Sequence, residues 1–404
     1  MKYILLRMKR FCGFATGFVF FLGGILKLMD PVGTGLVMKE YFDFLHIGFL
    51  GFASKPIGVL FALFETGVGA ALITGVWRKT IAFMAFILQV FFSLLTLLLV
   101  IFNPEMDCGC FGEAIHLTHT QTFIKNIVLC ILLAVYCFPK KALGRALKKK
   151  YVSFSTVMVS VTFFTIYSWI YIPLMDFTDY KPAVAIQAGS AFAVEEEDMY
   201  EAVFVYEKDG VQETFDLMHL PDSTWTFVRT ETIMKEEFQR TTVNLSFYDR
   251  EGKYHDSDAA QGKVVILSVY DPDMTRARWS KAADFLVLAE KVGFTPFLLV
   301  ASTPEKMDEV ISWLPEQTVK EIKCHLYYSD YKTLITMNRS NSGITYFSEG
   351  YLIRKWARAA MPDKEVLEEV YSGDDTEVVI WHDTKGSLAF QGFLLYIFAV
   401  MLLL

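Results

Sequence analysis

Charge is scarce in this chain: 21% of its 404 residues are Asp, Glu, Lys or Arg, against 53% hydrophobic. That balance excludes a disordered or fibrous protein. Cysteine is scarcer, six in all, and no two are separated by two residues, so the Cys-x-x-Cys dithiol is absent. Lys and Arg are missing from Asn103 to Gln121 and outnumbered from Met175 to Gly386, where 22 basic face 38 acidic residues. A nucleic-acid surface needs a basic patch on its aqueous part, so nucleic acid is excluded as a partner. That segment carries a net −16, and since the whole chain carries −7 the remainder carries +9. What abounds is apolar: 36 phenylalanines and a mean hydropathy of +0.35 exceed what a soluble core hides. Part of the chain therefore belongs in lipid, and a purely cytosolic enzyme is ruled out.

Phe11 to Met29 is apolar apart from Thr16 and Lys27 and follows Lys2, Arg7, Lys9 and Arg10. A secretory leader has that outline, but the run is long for one, and Lys27, Asp30 and Pro31 follow where cleavage needs small residues. It reads as a first transmembrane helix. Further spans of about 20 residues are expected at Pro56 to Val76, Ile81 to Phe102, Thr122 to Phe138, Ser153 to Leu174 and Leu388 to Leu404. The last, being short, either crosses or lies against the bundle. Arg78 and Lys79, then Lys140, Lys141, Arg145, Lys148, Lys149 and Lys150, mark the turns after the second and fourth spans. By the positive-inside rule both termini are cytoplasmic, whereas the 103–121 loop and residues 175–386 are exported.

Asp107-Cys108-Gly109-Cys110-Phe111-Gly112-Glu113 is the most informative stretch. Two thiols one residue apart, with glycines supplying backbone freedom, can close a small strained disulfide of the exchangeable kind. A purely structural cross-link normally closes a longer loop. Alternatively, Cys108, Cys110, His116 and His119 offer two sulfurs and two nitrogens to zinc or copper, the histidines at a helical i, i+3 spacing. A third reading leaves the loop a tight turn with unreactive thiols. Glu105, Asp107 and Glu113 nearby are expected to raise the thiol pKa.

Cys12, Cys130 and Cys137 read as small core hydrophobes. Cys324 falls in an alternating Ile322 to Tyr328 pattern and is expected in a strand facing a core. Glu65 lies near the middle of the second span, where a carboxylate must face the bundle interior, be paired or be protonated. Lys27 is the nearest basic candidate; Lys27 and Asp30 either snorkel to the interface or serve Glu65 or a ligand. Gln89 is expected to make an interhelical hydrogen bond.

Gly23-Gly24-Ile25-Leu26-Lys27-Leu28-Met29-Asp30-Pro31, Glu65-Thr66-Gly67-Val68-Gly69, Asp107-Cys108-Gly109-Cys110-Phe111-Gly112 and His119-Thr120-Gln121-Thr122-Phe123 resemble the DoxX/MauE family over roughly the first 140 residues. The resemblance implies a four-helix membrane bundle, similar in outline to vitamin K epoxide reductase. It also implies quinone-linked redox chemistry and, for MauE, disulfide formation in methylamine dehydrogenase maturation. The added exported part looks like a Bacteroidetes-type DoxX subgroup with an extra C-terminal domain.

Ala202 to Tyr206, Glu213 to Leu217 and Trp225 to Val228 read as strands of a small β-rich module, with Glu195-Glu196-Glu197-Asp198 a solvated loop. From Val243 the order is strand, helix, strand, helix, two strands and a final helix. Val264 to Tyr270 and Pro296 to Ala301 are buried strands and Arg276 to Val292 an amphipathic helix. Thr303-Pro304 opens another helix, and Glu349-Gly350 turns a hairpin. This order resembles the thioredoxin-like, TlpA-type fold, in degenerate form. Met274 and Ala277 stand where that family has its dithiol, and Ile344 where it has a proline.

The expected fold class is an α-helical membrane bundle, a four-helix core plus two further helices, with an exported α/β thioredoxin-like domain and a β-rich module. The domains fall at 1–140, 141–174, 175–241, 242–386 and 387–404. The expected function is that of a multi-pass bacterial inner-membrane protein whose Cys108 and Cys110 pass electrons from an exported thiol or envelope protein to a membrane acceptor. The resemblance implies a quinone for that acceptor. Glu65, Lys27 and Asp30 serve the bundle interior or a proton path. The alternatives are a non-enzymatic scaffold that recruits envelope proteins and a zinc- or copper-binding protein.

Overall fold

A computed structural model describes residues 2–138, 146–186, 200–208, 211–215, 220–221, 224–234 and 242–403. Lys140, Lys141 and Arg145 of the basic turn, the 195–198 acidic run and Leu217 lie outside the described residues. The chain divides into two units, 1–178 with 382–404, and 179–381.

In the first unit, local chemistry sets the helix ends. The helix α1 (Lys2–Met29) stops at Asp30, whose carboxylate accepts from the Val32 and Gly33 N–H groups at 3.1 and 2.9 Å. Asp30 thereby caps α2 (Pro31–Phe44), which has Pro31 in its first turn. A 3-10 turn, Gly48–Ala53, leads into α3 (Ser54–Thr74), ended by Gly75 at φ 74°. The next helix, α4 (Arg78–Phe102), ends at Asn103 at φ 41°. A short strand, β1 (Cys110–Glu113), precedes α5 (His119–Cys137), and α6 (Lys148–Ile170) follows it. A capping box of Thr118 and Gln121 starts α5.

Among the described residues six helical segments are long and apolar enough to cross a membrane: Leu6–Met29, Gly48–Thr74, Arg78–Phe102, His119–Cys137, Lys148–Ile170 and Asp375–Leu403. Each overlaps one expected span. The last begins at Asp375, not Leu388, because the helix continues upstream through polar residues that hydropathy alone does not register. Neither α2 nor the 3-10 turn was expected.

Glycine brings α1 and α3 together. A Cβ on Gly24 would strike the Thr66 hydroxyl and lie 2.9 Å from the Ala62 carbonyl, and one on Gly69 would lie 2.7 Å from the Gly17 carbonyl. Small residues at such contacts let helix backbones approach in lipid. Phe21, Ile25 and Leu28 are wholly buried beside them.

Among the described residues the second unit is built on a sheet of seven strands. Its strands are β2 (Ala185–Ile186), β6 (Thr242–Val243), β7 (Lys263–Val269), β8 (Thr295–Val300), β9 (Leu326–Tyr328), β10 (Gly343–Ser348) and β11 (Tyr351–Trp356). Their order is β6-β2-β11-β10-β7-β8-β9, with β7, β8 and β9 parallel and β10 antiparallel to β7 and β11. Glu349 and Gly350, both at positive φ, make the two-residue hairpin turn. Val265, Leu267 and Val269 feed one core and Val264 and Ile266 the other, so β7 is buried on both faces. Helices α7 (Arg276–Val292), α8 (Pro304–Ile311), α9 (Glu316–Cys324), α10 (Tyr331–Met337) and α11 (Lys364–Ser372) connect or flank the strands. Thr303 caps α8, accepting from the Lys306 N–H. The helices α9 and α10 extend the expected order, and β9 occupies only the end of the Ile322 to Tyr328 pattern.

Two readings are corrected here. Cys324 is the exposed last residue of α9, since the strand starts only at Leu326. The β-rich part is not a separate stretch ahead of the larger sheet: β3 (Tyr200–Lys208), β4 (Val211–Phe215) and β5 (Thr226–Met234) form their own antiparallel sheet, order β4-β3-β5. They are inserted between β2 and β6, which pair directly through Ala185 and Thr242.

Overpacking a close contact costs about 1–3 kcal/mol. Gly24→Leu is expected to lower the unfolding free energy of the detergent-solubilised chain by at least that much. Gly392→Leu, where a Cβ meets nothing within 4 Å, should leave it nearly unchanged in the same denaturation series.

Candidate functional site

Beyond Asn103 the chain turns back through Cys108 to Gly112, with Gly109 and Gly112 both at φ 60° and the Gly112 N–H donating to the Gly109 carbonyl at 3.3 Å. A side chain is strained at that φ, and a Cβ on Gly109 would also strike Val37 of α2. The Tyr41 hydroxyl of α2 donates to the Cys108 carbonyl at 2.7 Å. The unexpected helix thus pins the cysteine loop from one side.

From the other side α5 supplies polar groups. The Thr122 hydroxyl donates to Cys108 Sγ at 3.0 Å, and that sulfur lies 3.4 Å from the Leu117 carbonyl. Cys108 is buried, Cys110 half-buried, and both are free thiols. Cys110 hydrogen-bonds toward Cys108 and holds it well below the usual thiol range, with Thr122 and the Lys125 ammonium adding to the effect against the opposing effect of burial. The same hydrogen bond, and then burial, push Cys110 upward. The expectation that acidic neighbours set these thiols is therefore corrected. Glu105, Asp107 and Glu113 are near in sequence, but the shift of Cys108 comes from its partner sulfur and from α5.

Lys27 and Glu65 meet at 2.6 Å, both largely buried, so the pair is a direct contact between α1 and α3. Gly23 leaves room above it: a Cβ there would lie 3.1 Å from the Cys110 carbonyl and 3.3 Å from Glu65 Oε1. A small cavity of about 20 Å³ has Cys110, Lys27, Glu65, Gln89, Lys125 and Asn126 on its wall beside apolar residues such as Phe20, Phe92 and Phe111. That is room for one water. Gln89 donates to the Asn126 carbonyl at 3.0 Å, the expected interhelical bond between α4 and α5.

The remaining site candidates separate. Asp30 is a helix cap on α2. His116 Nε2 lies 3.6 Å from Asp107, and His119 Nε2 bonds the Met106 carbonyl at 2.9 Å. His119 is the first residue of α5 and His116 precedes the helix, so the helical spacing assumed for them does not exist. Among the described residues no group of three His, Cys, Asp or Glu side chains is placed to hold a metal ion. The zinc or copper set of Cys108, Cys110, His116 and His119 is corrected accordingly. Cys12 and Cys137 are buried, and Cys130 lies 3.4 Å from the Ser93 hydroxyl.

Tyr41, Thr122 and Lys125 were missed. Asp30-Pro31 is a helix-start signal that announces α2 and hence Tyr41, and Thr118-x-x-Gln121 is a capping box that starts α5 one turn before Thr122.

Residues 2–139 match the family described as methylamine utilisation protein MauE, and residues 200–237 match a family described as a domain of unknown function, DUF8463. No curated protein and no solved structure matches the chain. Its N-terminal third is thus MauE/DoxX-like, and the chain is a multi-pass membrane protein.

Two outcomes follow from this geometry. Breaking a buried ion pair by removing one partner costs about 3–5 kcal/mol. Glu65→Leu or Lys27→Leu should each approach that loss in detergent unfolding, whereas the double variant should lose clearly less than the sum. In the reduced chain, alkylation of Cys108 followed by mass spectrometry of the loop peptide should show a pH midpoint below the usual thiol value of about 8.5. Cys110→Ala should move that midpoint upward by on the order of one unit or more. An unmoved midpoint would remove the sulfur hydrogen bond as the cause.

Proposed function

We propose that the chain is a thiol–disulfide oxidoreductase of the bacterial inner membrane in which Cys108 and Cys110 alternate between dithiol and disulfide. The observation that carries this reading is the placement of two thiols in one turn pinned by Tyr41 and Thr122, where the hydrogen bonding favours a thiolate on Cys108 and disfavours one on Cys110. A low-pKa thiol is a good leaving group in disulfide exchange. A partner thiolate attacks Cys110 Sγ of the oxidised loop, and the S–S bond breaks toward Cys108, which leaves as the thiolate. The partner's second thiol then attacks the mixed disulfide, releasing Cys110 as the reduced thiol and the partner as its disulfide. The loop now carries two electrons and one proton, on Cys110, with Cys108 as the thiolate and the other partner proton already in solvent.

A membrane quinone supplies, when bound, a two-electron, two-proton oxidant. The residues present fit such a group: an apolar cavity reaches Cys108, Gly109 and Cys110, with Lys27 among its lining residues. Lys27 and Glu65, at the small cavity beside Cys110, hold the proton released there.

The loop without Lys or Arg and the acidic 175–386 segment support an exported placement with cytoplasmic termini. The strand order β11-β10-β7-β8, with α7 between β7 and β8, supports a thioredoxin-like reading of the sheet. Met274 and Ala277 replace the dithiol, so this part holds a partner and does not exchange disulfides. The same replacement favours the second reading, a scaffold that recruits envelope proteins.

Intact cells treated with a membrane-impermeant maleimide, with and without prior reductant, test the proposal. Labelling of Cys108 and Cys110 only after reduction is the expected result, together with loss of partner oxidation in Cys108→Ser and Cys110→Ser. Labelling without reductant, and serine variants that still oxidise the partner, would leave the scaffold.

A further inference from the structure

The charges around the cysteine turn cancel in one redox state and not in the other. Lys27 of α1 is held by Glu65 of α3 at 2.6 Å. Asp107 and Glu113 of the loop lie 3.6 and 3.9 Å from His116. From α4 come Phe91, Phe92, Leu95 and Thr96, none of them charged, and α2 brings the Tyr41 hydroxyl, which donates to the Cys108 carbonyl. Lys125 of α5 is placed differently. It lines the small cavity with Cys110, and its Nζ stands 4.7 Å from the centroid of the Phe111 ring. Among the described residues no carboxylate forms an ion pair with it.

Cys108 supplies what Lys125 lacks. Lys125 follows Thr122 by three residues and so shares its face of α5, and Thr122 donates to Cys108 Sγ at 3.0 Å. Thr122 is the fourth residue of α5, which puts the sulfur at a helix start, where negative charge is favoured. The Leu117 carbonyl, 3.4 Å from the sulfur, opposes this, because it accepts from a thiol and repels a thiolate. The balance favours the thiolate: Cys108 is brought down to about 5, first by the hydrogen bond from Cys110 and then, against burial, by Thr122 and Lys125. Cys110 is pushed upward and keeps its proton. At neutral pH the dithiol therefore carries one negative charge to set against Lys125. The disulfide carries none, and the ammonium loses that counter-ion.

We propose that Lys125 is a positioning residue that sets the redox poise of the loop: by pairing with the Cys108 thiolate it stabilises the dithiol and makes the disulfide an oxidant of partner dithiols. The inference deepens the proposed redox function and rests on it. A protein disulfide whose reduced form is stabilised is a strong oxidant. The substrates that suit this loop are thus dithiols awaiting oxidation, and stable partner disulfides are not among them.

The test is the equilibrium of the full chain in lipid nanodiscs with reduced and oxidised glutathione, read by mass spectrometry of the alkylated loop peptide. In that exchange the dithiol, one proton and oxidised glutathione give the loop disulfide and two glutathione thiols. At about pH 8 Lys125→Met should raise the equilibrium constant for disulfide formation about threefold, the equivalent of roughly half a pKa unit. Lys125→Glu, which reverses the charge, should raise it further, and Lys125→Arg, which keeps the charge, should restore most of the wild-type value. As the pH falls to about 5 and below, Cys108 takes up its proton in every form and the differences should shrink toward none. A substitution that acts only through packing would follow neither the charge nor the pH in this way. Equal constants in wild type, Lys125→Met and Lys125→Glu overturn the inference and leave the redox function standing. So does a shift that Lys125→Arg shares in full or that persists undiminished at low pH. A loop that forms no disulfide at any glutathione ratio overturns both.

Discussion

An ammonium and a carboxylate can be buried together in an apolar bundle only while they stay in contact. Lys27 and Glu65, 2.6 Å apart, impose that condition on α1 and α3. The two helices must meet in one register at the level of the pair, and Gly17, Gly24 and Gly69 permit the backbone approach that this register demands. The cysteine loop is laid over the same place: Gly23 leaves the space into which the Cys110 carbonyl and Glu65 both come. The position of the thiols is thus a consequence of how two helices are locked, and the loop's own residues contribute the turn.

What the sequence discloses depends on whether the cause is local. Hydropathy runs, Thr303-Pro304, the Glu349-Gly350 turn and the continuous apolar run of β7 all act over a few residues, and each appears in the structure near its expected place. The Lys27–Glu65 contact was legible as one option because a mid-span carboxylate restricts its surroundings. The environment of Cys108 was not. Its charge balance was read from chain neighbours, whereas Thr122 and Lys125 arrive from α5 and Tyr41 from α2. Two histidines three apart share a helical face only if the helix begins ahead of both, whereas α5 begins at His119 and leaves His116 outside it.

The second unit shows the same division. Its central strands are apolar enough to be recognised one by one, but β2 and β6 are two residues each and carry no pattern that a window can detect. Their membership in the large sheet is decided by what lies alongside. At the turn after β7 the buried side chain of Met274 receives a hydrogen bond from the Ser342 hydroxyl at 2.8 Å. This is packing of an interior kind.

Since Ala185 and Thr242 are ladder partners, the chain leaves and rejoins the sheet at neighbouring points of its edge. Closing a longer excursion between two such points adds only about 0.6 kcal/mol for each doubling of its length. The edge of this sheet is therefore a port: whole modules can be lengthened, exchanged or removed there while the strands at the centre keep their partners.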